Sequence, residues 1–191
     1  IFTVNIGGKI TTNDLSVSLG IPFETAEKIL LTKMAQITTK NGMASFGNRF
    51  IMYPYVTILS QDITPTAPPM HAYNLEITLN IGDNETQTIY NSVSIETKGV
   101  GKNPTKAYIQ ALKTLNPKNS DIKDFIETGK NKIISYYNSK CDFILKEANT
   151  LAGQKKYDDG IYKALSVPEV CKDCFDKAQD LSVTIYKQKL E

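Results

Sequence analysis

The chain has 191 residues, 41% of them hydrophobic and 22% charged, with a formal net charge of +2. That length and composition suit one large or two small globular domains. The near-neutral charge excludes a global basic field that would draw the chain to nucleic acid or anionic lipid.

Three Cys and one His are too few for a closed Cys₄ zinc site. No run of roughly 18 apolar residues is present, so no membrane span is expected. Ile1-Phe2-Thr3-Val4-Asn5 is strand-like and lacks the basic start and apolar core of a signal peptide. The first residue is not Met, which leaves room for a leader already removed.

Residues 1–11 alternate around Gly7-Gly8 and read as a short hairpin or strand. Thr11-Thr12-Asn13-Asp14 supplies N-cap residue types ahead of Leu15, Val17 and Leu19, and Gly20 closes that short helix. Pro22 opens a second helix, whose period is carried by Ala26, Ile29, Leu30, Lys33 and Met34. Asn41-Gly42 is a turn signal. Phe50 to Leu59 is an apolar strand in which Pro54 asks for an edge position.

The order helix, turn, helix, ribbon from Thr12 to Tyr53 loosely resembles a winged helix. A DNA reader would place several Arg or Lys on the second helix. Here Glu24 and Glu27 offset Lys28 and Lys33. A packing or protein-contact domain over residues 1–60 is therefore favoured over DNA reading.

Gln61 to His71 contains Pro65, Pro68 and Pro69. Proline fixes φ and removes donors, so residues 61–72 read as a stiff linker and as the domain boundary. Tyr73, Leu75, Ile77, Leu79 and Ile81 then alternate with Asn74, Glu76, Thr78 and Asn80, a half-buried strand. After a turn at Gly82-Asp83-Asn84-Glu85, a second strand places Ile89, Val93 and Ile95 on one face. Ser92, Ser94 and Glu96 lie on the other. A two-stranded hairpin is marginal alone, so helices should cover its apolar face.

Gly99-Val100-Gly101-Lys102 reads as a tight strand-to-helix turn, followed by Asn103 as N-cap and Pro104 as first helical residue. Ala107, Tyr108, Ala111, Leu112 and Leu115 form one face of that helix. Pro117 and Ser120 mark its break from the next.

From Asp121 the apolar positions are Ile122, Ile126, Ile133, Tyr137, Cys141, Ile144, Ala148 and Leu151. Only the turn around Gly129 lacks a large residue. At 1.5 Å per residue the stripe predicts a helix of roughly 45 Å that needs a partner. Lys155 to Leu165 reads as a short helix opened by Asp158-Asp159. Ser166-Val167-Pro168-Glu169 has the form of a capping box for a last helix striped by Val170, Cys174, Ala178, Leu181 and Ile185. Ala148 to Pro168 is similar to a tetratricopeptide helix pair, with a second helix that is too short and Gly160 where Ala is usual. One helical hairpin with an extra helix is expected, and no repeat array. The whole reads as α+β: residues 1–60, the linker, and a 73–191 domain of hairpin and helices.

Cys171-Lys172-Asp173-Cys174 is the sharpest chemical motif. A CxxC at a helix N-terminus can act in thiol exchange, but the βαβ context of a redox fold is missing. Three readings stand: buried structural thiols, a disulfide of Cys171 or Cys174 with Cys141 if the helices pack antiparallel, and redox or metal chemistry. Free thiols would suit an intracellular assembly site. Gly99 and Gly101 with Lys102 fit neither the P-loop nor the dinucleotide pattern. His71 reads as a solvated linker residue without a Ser or Cys partner. Tyr136-Tyr137 reads as half stripe, half surface. No catalytic, cofactor or metal residues are assigned.

"SVSIETKGVGKNPTKAYIQAL" and "ISYYNSKCDFILKEANTLAGQKKYDDGIYKALSVPEVCKDCFDKA" resemble a family of structural virion proteins of crAss-like bacteriophages of gut Bacteroidales. The resemblance spans more than half the chain, from about Tyr73 to Tyr186. It implies a non-enzymatic component of the tail or connector region, assembled in the host cytoplasm. Homo-oligomers and other virion proteins would be its partners. The strand–GxG–helix portion is also similar to small α+β domains of bacterial envelope lipoproteins. That implies the alternative of an envelope or adaptor protein, periplasmic or cytoplasmic, holding a partner through its helical hairpin.

Overall fold

The structure is a computed structural model that describes residues 23–41 and 49–190, with Phe23 and Glu24 described by backbone alone. The expected elements at residues 1–22 and the Gly42 half of the Asn41-Gly42 turn lie outside them. The fold is α+β, in the order α1 (Phe23–Lys40), β1 (Phe50–Ile63), β2 (His71–Asp83), β3 (Thr88–Gly101), α2 (Pro104–Thr114), α3 (Ser120–Gly153), α4 (Tyr157–Ala164) and α5 (Lys172–Leu190). The described residues form two compact units, one ending at Gly129 and one beginning at Lys130.

The first unit is built on an antiparallel three-stranded sheet of order β1-β2-β3. This corrects the expected two-stranded hairpin and the expected boundary at 61–72. Gln61 and Ile63 pair with Tyr73 and His71, so the prolines turn a hairpin instead of separating domains. β1 therefore belongs to the same sheet as β2, and among the described residues it forms no separate winged-helix ribbon. Pro54 does lie on an edge strand, paired with Leu79.

The alternation of β2 sets the core. Tyr73, Leu75, Ile77, Leu79 and Ile81 are each 1% exposed or less. Full burial of such side chains contributes about 2 kcal/mol each by transfer, an upper estimate. Met52 and Val56 pair across from Ile81 and Ile77, and Ile95 lies across from Ile77 on the other side. The opposite face is polar: Thr78 and Ser94 hydroxyls meet at 2.9 Å, and Ser92 donates to Asn80 Oδ1 at 2.7 Å. Ile89 departs from the expected inward face and is 55% exposed. The register shifts so that Ile81 pairs with Asn91 and Gly82 with Ile89, leaving Tyr90 as an extra residue. That bulge reverses the facing of β3 on its far side and buries Tyr90 in place of Ile89.

α1 buries Ala26, Leu30, Met34 and Ile37. Its Lys33 Nζ donates to the Leu115 carbonyl at 2.7 Å, a cation at the end of α2. Burial and then Lys40 lower the Lys33 ammonium below its ordinary value.

α2 begins as expected: Asn103 Oδ1 accepts from Lys106 N–H at 2.9 Å, and Pro104 follows. Ala107, Tyr108, Ala111 and Leu112 are buried. Gly99 and Gly101 belong to β3 and not to a turn, and their role is different from the expected one. A Cβ on Gly99 would lie 2.1 Å from Ala111 N, and one on Gly101 2.4 Å from Ala107 N. The missing side chains let the backbone of α2 rest directly on the strand. The first turns of α3 complete this unit. Gly129 lies where a Cβ would be 2.8 Å from Ile81 Cδ1, and Asn91 Nδ2 donates to the Phe125 carbonyl at 2.9 Å. The turn that lacked a large residue is thus the turn that meets the sheet.

Tyr108 packs edge-on to Tyr73, ring centroids 6.1 Å apart. Burial pushes its phenol from 10.0 up to about 12. The unfolded chain therefore loses this proton first, and stability falls as pH rises from about 10 towards 12. Thermal melts across that window should show the decline, and Tyr108→Phe should flatten it.

In the second unit, α3 supplies Ile133, Tyr137, Cys141, Ile144 and Ala148 to a buried seam. α4 descends along it. A Cβ on Gly160 would be 2.8 Å from the Ala148 carbonyl oxygen, so Gly is needed where a tetratricopeptide pair has Ala. Lys163 Nζ reaches Glu147 at 2.7 Å. Ile185 of α5 packs with Ala148, Ala152 and Ala164.

α5 starts at Lys172, later than expected. Ser166-Val167-Pro168-Glu169 lies in the connection ahead of it, where the Val167 N–H bonds back to Ala164 and Cys171 N–H to Pro168 at 2.9 Å. Cys171 contacts Ile134, Cys174 bonds Cys141, and Ile185 meets Ala148 and Ala152. Rising numbers match rising numbers, so α5 runs parallel to α3, with α4 as the antiparallel return. α3 and α4 form the expected helical hairpin with α5 as the extra helix, and the Cys141 disulfide, expected across antiparallel helices, instead joins the parallel pair α3 and α5.

Candidate functional site

The three cysteines are brought together in the second unit. Cys141 sits on the α3 stripe, one turn from Tyr137 and Ile144. Cys171 is the N-cap residue of α5, its carbonyl accepting from Phe175 N–H at 2.8 Å. Cys174 follows on the first turn and faces α3. Cys141 and Cys174 are joined in a disulfide with Cα atoms 5.7 Å apart, within the usual range for such bonds.

Cys171 is a free thiol, 2% exposed, whose Sγ lies 3.8 Å from the Ile134 carbonyl oxygen. A helix N-terminus ordinarily lowers a thiol pKa. Here desolvation prevails and burial pushes the Cys171 thiol up. The two halves of the CxxC therefore have separate partners: Cys174 a cross-link, Cys171 a backbone carbonyl. This arrangement supports structure at a helix seam, and no accessible thiolate is poised for exchange.

The other marked residues are dispersed. The space beside Gly99 and Gly101 is filled by α2, so no phosphate cradle exists there. His71 is not a solvated linker residue: it heads β2, pairs with Ile63 and Gly101, and has a buried Nδ1 without a partner among the described residues. Asp158 and Asp159 open α4, and Asp158 pairs with Lys189. Tyr136 and Tyr137 stack edge-to-face at 5.2 Å, Tyr137 buried and Tyr136 half-buried. Among the described residues no group of three or more His, Cys, Asp or Glu side chains could hold a metal ion. None of the described helices is long and apolar enough to cross a membrane.

Sequence reasoning missed a cavity of about 290 Å³ on the polar face of the sheet, lined by Ile51, Tyr53, Asp83, Asn84, Gln87 and Ile89 among others. The bulge at Tyr90 delivers Ile89 to it, and no periodicity in the sequence announces a bulge. The Asp83 carboxylate at its base is fully buried and already committed. Arg49 Nε donates to it at 3.1 Å, and the Glu85 and Thr86 N–H groups at 2.8 and 3.2 Å. It closes the β2–β3 turn and is not available as a base.

No family model matches the chain, and no curated protein matches it. Among solved structures, a minor lipoprotein from Acinetobacter baumannii is 15% identical and covers 62% of this chain and 90% of its own. Its TM-score of 0.33 is too low to assign a shared fold.

Proposed function

We propose that this chain is a non-enzymatic structural component of a bacteriophage virion, part of a tail or connector ring or collar. In this reading it acts by self-association and by contacts with other virion proteins. The observation that carries the reading is apolar exposure on the helical unit. Val183, Tyr186 and Leu190 are 52%, 54% and 70% exposed on α5, on the side away from buried Cys174, Ala178 and Ile185. Phe143 and Tyr162 add further exposed rings on α3 and α4. Such exposure marks surfaces that meet another protein more often than surfaces left in water. The resemblance to structural virion proteins points the same way. Light scattering and electron microscopy of the purified chain should show a defined oligomer. A stable monomer at every concentration would overturn the reading.

One observation favours a second reading, an envelope or adaptor protein that holds a partner through its helices. The Cys141–Cys174 disulfide suits an oxidising compartment. Mass spectrometry of the protein from its native host would discriminate. A mature form beginning at a lipidated Cys ahead of Ile1 supports the envelope; co-purification with capsid and portal proteins supports the virion.

A further inference from the structure

The two edges of the sheet are treated differently. β1 carries Pro54 in mid-strand and a register irregularity between Ile58 and Ser60, both devices that blunt an edge. β3 has its bulge at Tyr90 and then runs from Asn91 to Gly101 without proline or irregularity. Among the described residues it is paired on one side only, with β2.

Three features of that edge share one centre. Thr97 is 5% exposed, and its Oγ1 is buried with no hydrogen-bond partner among the described residues. An unpaired buried hydroxyl is costly. Glu96 and Lys98 flank it on the exposed face, and Glu96 lies directly across from Glu76, a like-charge pair. On the other face, half-buried Val93 and buried Ile95 precede Thr97, while Gly99 and Gly101, both covered by α2, follow it.

We propose that β3 pairs antiparallel with β3 of a second copy of this chain about a two-fold axis at Thr97. The two three-stranded sheets then become one continuous sheet. In that register Thr97 faces its counterpart across the axis. Glu96 faces the partner's Lys98 and Lys98 the partner's Glu96, which places a cation beside the Glu76–Glu96 pair. The Lys98 carbonyl already accepts from Thr114 Oγ1 at 3.3 Å, and its second lone pair serves the new ladder. An isologous contact of this kind closes on itself. The inference rests on the self-association reading and names one surface through which it acts.

Sedimentation of the full chain tests it. The unaltered protein should show a concentration-dependent dimer step. Glu96→Lys and Lys98→Glu should each raise its dissociation constant about tenfold, because each creates two like-charge contacts. The double reversal should restore it to within about threefold. If the chain associates but neither reversal changes the constant, pairing through β3 is overturned and self-association stands. If the chain is monomeric throughout, both fall.

Discussion

Gly99→Ala is expected to lower stability by about 3 kcal/mol or more, beyond the usual range for a single methyl group. The added carbon would lie 2.1 Å from Ala111 N and 2.3 Å from the Ala107 carbonyl oxygen. These are backbone atoms in the middle of α2, so no rotamer change relieves the clash. The helix must lift from β3, and Tyr108, Ala111 and Leu112 lose contact together. For a chain of this length the shift in Tm should be roughly 10 °C. Gly153→Ala is the matched control: nothing lies within 4 Å of its added carbon, and its effect should stay within about 0.5 kcal/mol. Thermal or urea denaturation reads both. Equal small effects would mean that α2 does not rest on β3 as described.

Loss of the Cys141–Cys174 bond is the second large effect. The bond closes a loop of 33 residues in sequence separation, which in the chain-entropy account corresponds to about 3–4 kcal/mol. Cys141→Ser or full reduction should lower the denaturation midpoint accordingly. The same loop holds α4, so its cross-linked form should resist proteolysis near Lys155 longer than the reduced form. Alkylation gives the complementary result. Cys171, buried and with its thiol pushed up, should stay unmodified in the folded protein and react once it is denatured. Peptide mapping that found Cys171 cross-linked to Cys174 would contradict the assignment.

Much of the fold follows from local pattern. The strict alternation at Tyr73–Ile81 and the Asn103-Pro104 start of α2 are encoded within a few residues of where they act. The length of α3 is similarly local, because one stripe persists over its turns. What was not legible depends on partners far along the chain. Pro65, Pro68 and Pro69 have the same chemistry in a linker and at a hairpin tip. Only the pairing of Ile63 with His71 decides between them. The glycines at 99 and 101 announce close approach without saying to what. For the cysteines, helical periodicity places each on a buried face but carries no direction, so an antiparallel seam was as natural as the parallel one observed. The helix expected after Ser166 starts only at Lys172, beyond a turn closed by Pro168 and Cys171. The cavity and the orphan Thr97 hydroxyl arise from register alone.

α3 runs unbroken from Ser120 to Gly153, while the two compact units divide at Gly129. The division seen in packing therefore has no counterpart in the hydrogen-bond ladder. A cut at residue 129 would leave two raw helix ends: carbonyls without donors on one fragment, N–H groups without acceptors on the other. Truncations meant to isolate either unit should keep α3 whole.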